Sequence, residues 1–256
     1  MSENLAIFTE NLNLWYGSFQ ALKNINLSIH QGNITALIGP SGCGKSTFLR
    51  CLNRINERIS SVRVSGAIRL FGHDIYGQEV TLEELRKDVG MVFQRPNPLP
   101  LSIYENVMFG YTTHYARRSY TQTELDVLVE SSLKKVHLWE KLKDNLHDSA
   151  LGLQLEAQQK LCIARLLPLK PKLILLDEPC SALDPTGTSS IEELLLELKG
   201  EYSIVIVTHN MAQARRVSYE SIFMLMGEII EQGSTAEMFL TPQNEKTAQY
   251  IEGRFG

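Results

Sequence analysis

An α/β fold with a parallel sheet is what this sequence predicts, and three observations predict it. The apolar stretch Ile34–Ile38 runs directly into the glycine-rich turn Gly39-Pro40-Ser41-Gly42-Cys43-Gly44-Lys45-Ser46-Thr47. Two further stretches, Leu173–Asp177 and Ser203–Val207, are apolar almost throughout, as parallel strands covered on both faces are, and a helical pattern separates them. From about residue 98 to 169 the pattern turns helical, which reads as a block inserted into that β-α-β order.

Taken in order, residues 5–16, 25–30, 34–38 and 67–71 are expected as short strands, with Gly17, Gln31-Gly32, Gly66 and Gly72 as breakers. A helix over about 45–58 interrupts them, and this N-terminal part forms an antiparallel β subdomain. From 102 to about 165 helices follow, with Leu125, Leu128, Val129, Leu133 and Val136 on one face and a polar, aromatic-dotted connector at 111–122. A helix over 189–198 joins the two apolar strands. Residues 222–233 read as two strands turning at Gly227, and two short helices finish the chain. There is no internal repeat and no low-complexity segment. At 256 residues the chain is expected to be a single domain, with a core from about 1–97 and 170–256 and a helical subdomain over about 98–169.

The net charge of −4 carries no basic surplus, which argues against a nucleic-acid partner. The pairs Arg117-Arg118 and Arg215-Arg216 are read as solvated helix faces. Cys43, Cys51, Cys162 and Cys180 form no C-x-x-C pair, and no signal-peptide pattern opens the chain, so a reducing cytosol is the expected compartment. No apolar run approaches the roughly 18 residues that would span a bilayer, so any membrane role comes through a partner.

The turn after residues 34–38 satisfies G-x-x-x-x-G-K-[ST] between a strand and a helix, which is a P-loop and points to a nucleoside triphosphate. Gly39, Pro40, Ser41, Gly42, Cys43, Gly44, Lys45, Ser46 and Thr47 are expected to bind the phosphates, the glycines letting backbone N–H groups turn inward around them. Lys45 supplies a cation to the β/γ oxygens, Ser46 a hydroxyl for Mg²⁺, and the helix start its positive dipole end. Such a loop needs an acid at a neighbouring strand end. Asp177 would hold Mg²⁺ and Glu178 would orient or deprotonate the attacking water, while His209, leaving strand 203–207, reaches the γ-phosphate. The predicted architecture is therefore a P-loop NTPase core that binds ATP and Mg²⁺.

Over essentially its whole length the chain resembles the ATP-binding subunits of ABC transporters, because several independent motifs stand in that family's order. The resemblance implies that Tyr16, in Leu14-Trp15-Tyr16-Gly17, stacks on adenine. It implies that Gln94, in Met91-Val92-Phe93-Gln94, contacts Mg²⁺ and faces a transmembrane partner, that Asp184 makes a dimer contact and that His209 is a switch histidine. Within the family the likeness is to bacterial phosphate-import ATPase subunits. It rests on Phe93-Gln94-Arg95-Pro96-Asn97-Pro98-Leu99-Pro100, Ser102-Ile103-Tyr104-Glu105-Asn106-Val107, His147-Asp148-Ser149-Ala150-Leu151-Gly152-Leu153, Cys51-Leu52-Asn53-Arg54 and Asp177-Glu178-Pro179-Cys180-Ser181-Ala182-Leu183-Asp184-Pro185. That likeness implies ATP hydrolysis driving phosphate import at the cytoplasmic face of the inner membrane. The implied partners are a second ATPase subunit, membrane permease subunits and, indirectly, a periplasmic or extracellular phosphate-binding protein.

One segment departs from the family. After Leu153, where relatives carry Ser-Gly-Gly-Gln, this chain has Gln154, Leu155, Glu156 and Ala157, and Lys160 replaces an arginine. Leu155 and Glu156 add bulk where backbone is expected to approach, and Glu156 sets a carboxylate near a polyanion. Three accounts stay open: a natural or engineered variant with a damaged signature, pairing with an intact sister ATPase so that one composite site is poor, or substitutions that are tolerated. The alternative function is an ATP-binding switch or degenerate-site subunit with weak hydrolysis, paired with an intact sister ATPase.

Overall fold

The structure is a computed structural model that describes residues 4–116 and 120–255. The chain opens with Leu5–Tyr16 (β1) and Phe19–His30 (β2), paired antiparallel about the turn Gly17-Ser18. Ile34–Ile38 (β3) leads through the glycine-rich loop into Lys45–Cys51 (α1). After a 3-10 turn at Ile55–Arg58, Val62–Leu70 (β4) and His73–Asp74 (β5) complete an antiparallel sheet of order β2-β1-β4-β5. Leu82–Asp88 (α2) and Val89–Val92 (β6) come next, then the helices Ile103–His114 (α3), Gln122–Lys135 (α4), Trp139–Leu142 (α5) and Leu155–Ala164 (α6). Leu173–Asp177 (β7), Pro185–Leu198 (α7), Ser203–Val207 (β8) and Met211–Val217 (α8) follow. The chain closes with Glu220–Leu225 (β9), Glu228–Ser234 (β10), Thr235–Leu240 (α9) and Glu245–Ile251 (α10). The second sheet has order β10-β9-β3-β8-β7-β6 and is parallel except for the β9–β10 hairpin.

Every residue of β3, β7 and β8 is buried, which is why their sequences lack polar alternation. The pleat sends successive residues to opposite faces. Ile34, Ala36 and Ile38 join a core shared with Val107 of α3, Val129 of α4, Ile163 of α6 and Ile191 of α7. Leu37 joins the other core, with Phe48 and Leu49 of α1 and Leu12, Leu14 and Leu22 of the antiparallel sheet. Helix α1 is thus packed on the antiparallel sheet's side of β3. Parallel pairing brings the C-terminal ends of β3, β7 and β8 to one edge, with Asp177 in register with Val207 and Val207 with Leu37. That edge of an open α/β sheet is where ligands bind.

Several boundaries differ from expectation. Strand β2 starts at Phe19, because its alternation breaks at Ala21-Leu22, both buried, where its register against β1 shifts. Gly66 lies inside β4 and does not end it. Its φ of +91° sits opposite a register shift in β1, and a methyl group there would stand 2.2 Å from the Asn11 carbonyl oxygen. The helix after the loop stops at Cys51 rather than 58, since Arg54 is left-handed (φ 56°) with its guanidinium on Glu57 at 2.8 Å and on the Ile75 carbonyl at 3.1 Å. Helix α7 begins at Pro185, four residues early, because Asp184 accepts the Gly187 N–H at 2.7 Å as its N-cap. Neither α2 nor β6 was expected. β6 is only four residues long and contains Gly90, where a methyl group would meet Leu166 Cδ1 at 2.8 Å. The connector at 111–122 is partly helix, as α3 continues to His114. Arg117-Arg118 lies outside the described residues. Arg215 and Arg216 are exposed on α8, where Arg216 holds the buried Glu192 at 2.7 Å. The four cysteines are free and buried.

Candidate functional site

The loop after β3 owes its shape to glycine. Gly39, Gly42 and Gly44 have φ of +147, +77 and +110°, and a methyl group on Gly39 would lie 2.2 Å from the Met224 carbonyl oxygen of β9. No side chain fits there, so the loop lies directly on the sheet edge. Lys45, 5% exposed, turns back into the loop and donates from Nζ to the carbonyls of Gly39 at 2.7 Å and Pro40 at 2.9 Å. Cys43 is buried behind them, and burial raises its thiol above the ordinary range. Pro40, Ser41 and Thr47 complete the run, with Ser41 exposed.

Ser46 and Asp177 meet across the sheet edge, the hydroxyl donating to Asp177 Oδ1 at 2.6 Å. Asp177 is 4% exposed, and its Oδ2 accepts from Arg50 Nη2 at 3.3 Å. Arg50 was not among the expected residues. The signal that finds it is its place one helical turn after Ser46, on the same face of α1. Glu178 follows immediately, tied by its N–H to the Val207 carbonyl at 2.9 Å. Its backbone is left-handed, φ 49°, a conformation that costs on the order of 1 kcal/mol for a side chain with a Cβ. That turn aims its carboxylate between two groups: Gln94 Nε2 donates to Glu178 Oε2 at 3.2 Å, and His209 Nδ1 stands 3.1 Å from the same oxygen. A cleft of about 630 Å³ opens beside them, lined by Cys180, Leu183, Thr208 and Gln213 among others.

Tyr16 ends β1 beside the loop, half-buried, its hydroxyl 3.5 Å from Thr47 Oγ1 and 3.2 Å from Asn56 Oδ1. Phe19, 66% exposed, is directly opposite Tyr16 across the hairpin, and facing residues of an antiparallel pair share a face. The structure thus brings together the loop, Tyr16, Gln94, Asp177, Glu178 and His209. Asn56, Arg50 and Phe19 are the neighbours that sequence reasoning missed.

The run at 153–157 leads into α6. Gln154 is the residue before α6 and makes no side-chain cap, Leu155 is 50% exposed, and Leu153 and Ala157 pack partly against the core. Glu156 does not present a bare carboxylate: Oε1 accepts from Lys160 Nζ at 2.9 Å and from Ser190 of α7 at 2.8 Å. Burial works against its charge, but these donors outweigh burial and hold the carboxyl below its ordinary range. Asp184 is exposed and spends its carboxylate on the N-cap of α7.

Among the described residues no three His, Cys, Asp or Glu side chains are placed to hold a metal. A divalent cation at this edge would rely on oxygen from a hydroxyl and one carboxylate, with phosphate oxygens and water supplying the rest. Mg²⁺ favours that donor set, and the Ser46–Asp177 pair fits it.

The model of the ABC transporter family matches residues 22–181. This chain belongs to that family. Two phosphate import ATP-binding proteins PstB, from two strains of Bacillus cereus, are each 54% identical to it over 248 residues, covering 97% of this chain and 90% of theirs. Among solved structures, cbiO1 from Clostridium perfringens, part of the ABC transporter complex cbiONQ, superposes with a TM-score of 0.80 at 29% identity over 98% of this chain and 97% of its own. An ATP-binding cassette solved as a dimer in a post-hydrolysis state with ADP and Pi gives 0.74 at 28% identity, covering 90% of this chain and 98% of its own. ABC ATPases bind ATP, and the antiparallel sheet, mixed sheet and helices described above are the fold they share with this chain.

Proposed function

We propose that this chain is the ATP-binding and hydrolysing subunit of an ABC importer, energising uptake of inorganic phosphate through a membrane permease. The observation that carries the substrate is the 54% identity to phosphate import ATP-binding proteins over 97% of the chain. The chemistry agrees with the Ser46–Asp177 pair and the Glu178 carboxylate held beside it. In this reading the loop Gly39–Thr47 cradles the phosphates by backbone N–H groups, and Lys45 leaves its two carbonyls for the β/γ oxygens. Ser46, Asp177 and Gln94 would hold Mg²⁺, directly or through water. When bound, that ion neutralises charge on the phosphate oxygens and on the leaving group. Glu178 accepts the proton of the attacking water, Gln94 and His209 fix its carboxylate, and His209 reports the γ-phosphate. Tyr16 stacks on adenine.

The working unit is a dimer with a second ATPase subunit, a copy or a sister, in which Asp184 and residues 153–157 face the partner. The domain acts as one unit, with about 98–169 as its helical part. In this reading the subunit attaches to the cytoplasmic face of the inner membrane through its permease; no helix among the described residues is long and apolar enough to cross a membrane. A phosphate-binding protein outside that membrane communicates with it only through the permease. The test is phosphate release from ATP by the whole chain, alone and with its permease in vesicles, beside Lys45→Ala. Turnover that rises with the permease and collapses in the variant, together with ATP-driven phosphate uptake, is expected. ATP binding and turnover unaffected by Lys45→Ala would overturn the reading.

A further inference from the structure

Asn56, in the 3-10 turn after α1, is 3% exposed and is bonded on every side. Its Nδ2 donates to the Thr47 carbonyl at 2.9 Å and to Cys51 Sγ at 3.2 Å, and its Oδ1 faces the Tyr16 hydroxyl at 3.2 Å. The two donors fix which way the amide points. Reversed, its oxygen would confront the Thr47 carbonyl, acceptor against acceptor. The amide oxygen is therefore held towards Tyr16, whose hydroxyl is also 3.5 Å from Thr47 Oγ1. One buried side chain thus joins the last residue of the phosphate loop to the aromatic ring at the end of β1.

We infer that Asn56 is a positioning residue for nucleotide binding: it tethers Tyr16 by its hydroxyl, fixing the ring's tilt and its distance from the phosphate loop. This rests on the reading that Tyr16 contacts the base and the loop binds phosphates. A phenol pinned at its far end cannot swing about its χ angles, so the platform is set before the ligand arrives. Releasing it makes the ligand immobilise the ring, a loss of about three- to tenfold in affinity. A polyphosphate without a base never touches the ring.

The experiment measures calorimetric affinities of the whole chain for ATP and for inorganic tripolyphosphate in Tyr16→Phe, Asn56→Ala and the double variant. Tyr16→Phe keeps the ring face and loses only the tether. Expected in Tyr16→Phe are a three- to tenfold weaker ATP affinity and unchanged tripolyphosphate affinity; Asn56→Ala, which also frees the Thr47 carbonyl and Cys51 Sγ, should lose at least as much ATP affinity, and adding Tyr16→Phe to it should cost nothing more, because the Tyr16–Asn56 link is already broken. Should Asn56→Ala not fold, Tyr16→Phe decides alone. Parent-like ATP affinity in Tyr16→Phe, equal losses for both ligands in that variant, or additive losses in the double variant would overturn the inference. Lys45→Ala separates the two levels. If it abolishes ATP binding while Tyr16→Phe is silent, the tether fails and the nucleotide site stands; if the parent itself binds no ATP, the underlying reading fails.

Discussion

Glu178 holds its carboxylate between Gln94 and His209 on a left-handed backbone, and that arrangement decides what a single atom exchange does. In Glu178→Gln the side chain keeps its length and shape but has no basic oxygen to take a proton from water. ATP turnover is expected to fall by about 10²–10⁴, the usual contribution of a positioned base, with ATP affinity within a few-fold of the parent. Single-turnover hydrolysis and equilibrium binding measured on the same preparation check both halves. Turnover equal to the parent's would remove Glu178 from the proton-transfer role. At this scale the sequence was most legible where covalent spacing alone dictates chemistry. Lys45, Ser46, Asp177 and Glu178 follow from one motif and one strand end. Arg50 and Asn56 did not, because what they do depends on where β7 and β1 pass in space, and residue spacing carries that only faintly.

Helices α6 and α7 show the same limit between elements. Glu156 was expected to confront a polyanion, yet Lys160, one turn along α6 and 5% exposed, neutralises it, and Ser190 of α7 closes the set with 2.6 Å to Lys160 Nζ. The i,i+4 spacing of Glu156 and Lys160 was readable in advance, whereas the third member comes from a helix 30 residues beyond Lys160. The central strands β3, β7 and β8 were read to the residue, because burial on both faces over five residues leaves an unmistakable apolar run. The edge strand β6 and the bulge at Gly66 were not, since their sequences answer to neighbours far along the chain. The α6–α7 network gives a stability prediction. Glu156→Gln leaves a buried ammonium with a hydroxyl and no counter-charge, and is expected to cost about 1–3 kcal/mol at neutral pH. The folded-state pKa of Glu156 is depressed, so its contribution is present above the ordinary carboxylate range and is lost as pH falls through the folded value. Denaturant unfolding of parent and variant should therefore differ at pH 7 and converge in acid; a gap that persists undiminished in acid would show that the pair's charge is not what stabilises the contact.

At the scale of the whole molecule, the P-loop edge is one half of a proposed composite site whose other half a second subunit supplies. In that proposal residues 154–157 belong to the other half, and Leu155, 50% exposed at the start of α6, adds a side chain where a glycine would leave backbone open. The quadruple variant Gln154→Ser, Leu155→Gly, Glu156→Gly and Ala157→Gln returns a hydroxyl and bare N–H groups to the start of α6. It also breaks the link to Lys160 and Ser190, so the restored protein should melt at a lower temperature than its parent. Its ATP turnover should nevertheless rise. Losing one donor to a developing phosphate charge typically costs about 10²–10³ in rate, and a homodimer limited by this run recovers at least that much. ATP affinity of the isolated subunit should hardly move, because Tyr16 and the loop Gly39–Thr47 lie in the other half of the site. Pairing the quadruple variant with parent subunits, one of each, then resolves who closes over whose nucleotide. One active site per mixed dimer gives about half the restored rate if the two sites fire independently. A restored homodimer no faster than its parent would mean that the native run already serves the partner's phosphate, with Glu156 kept harmless by Lys160.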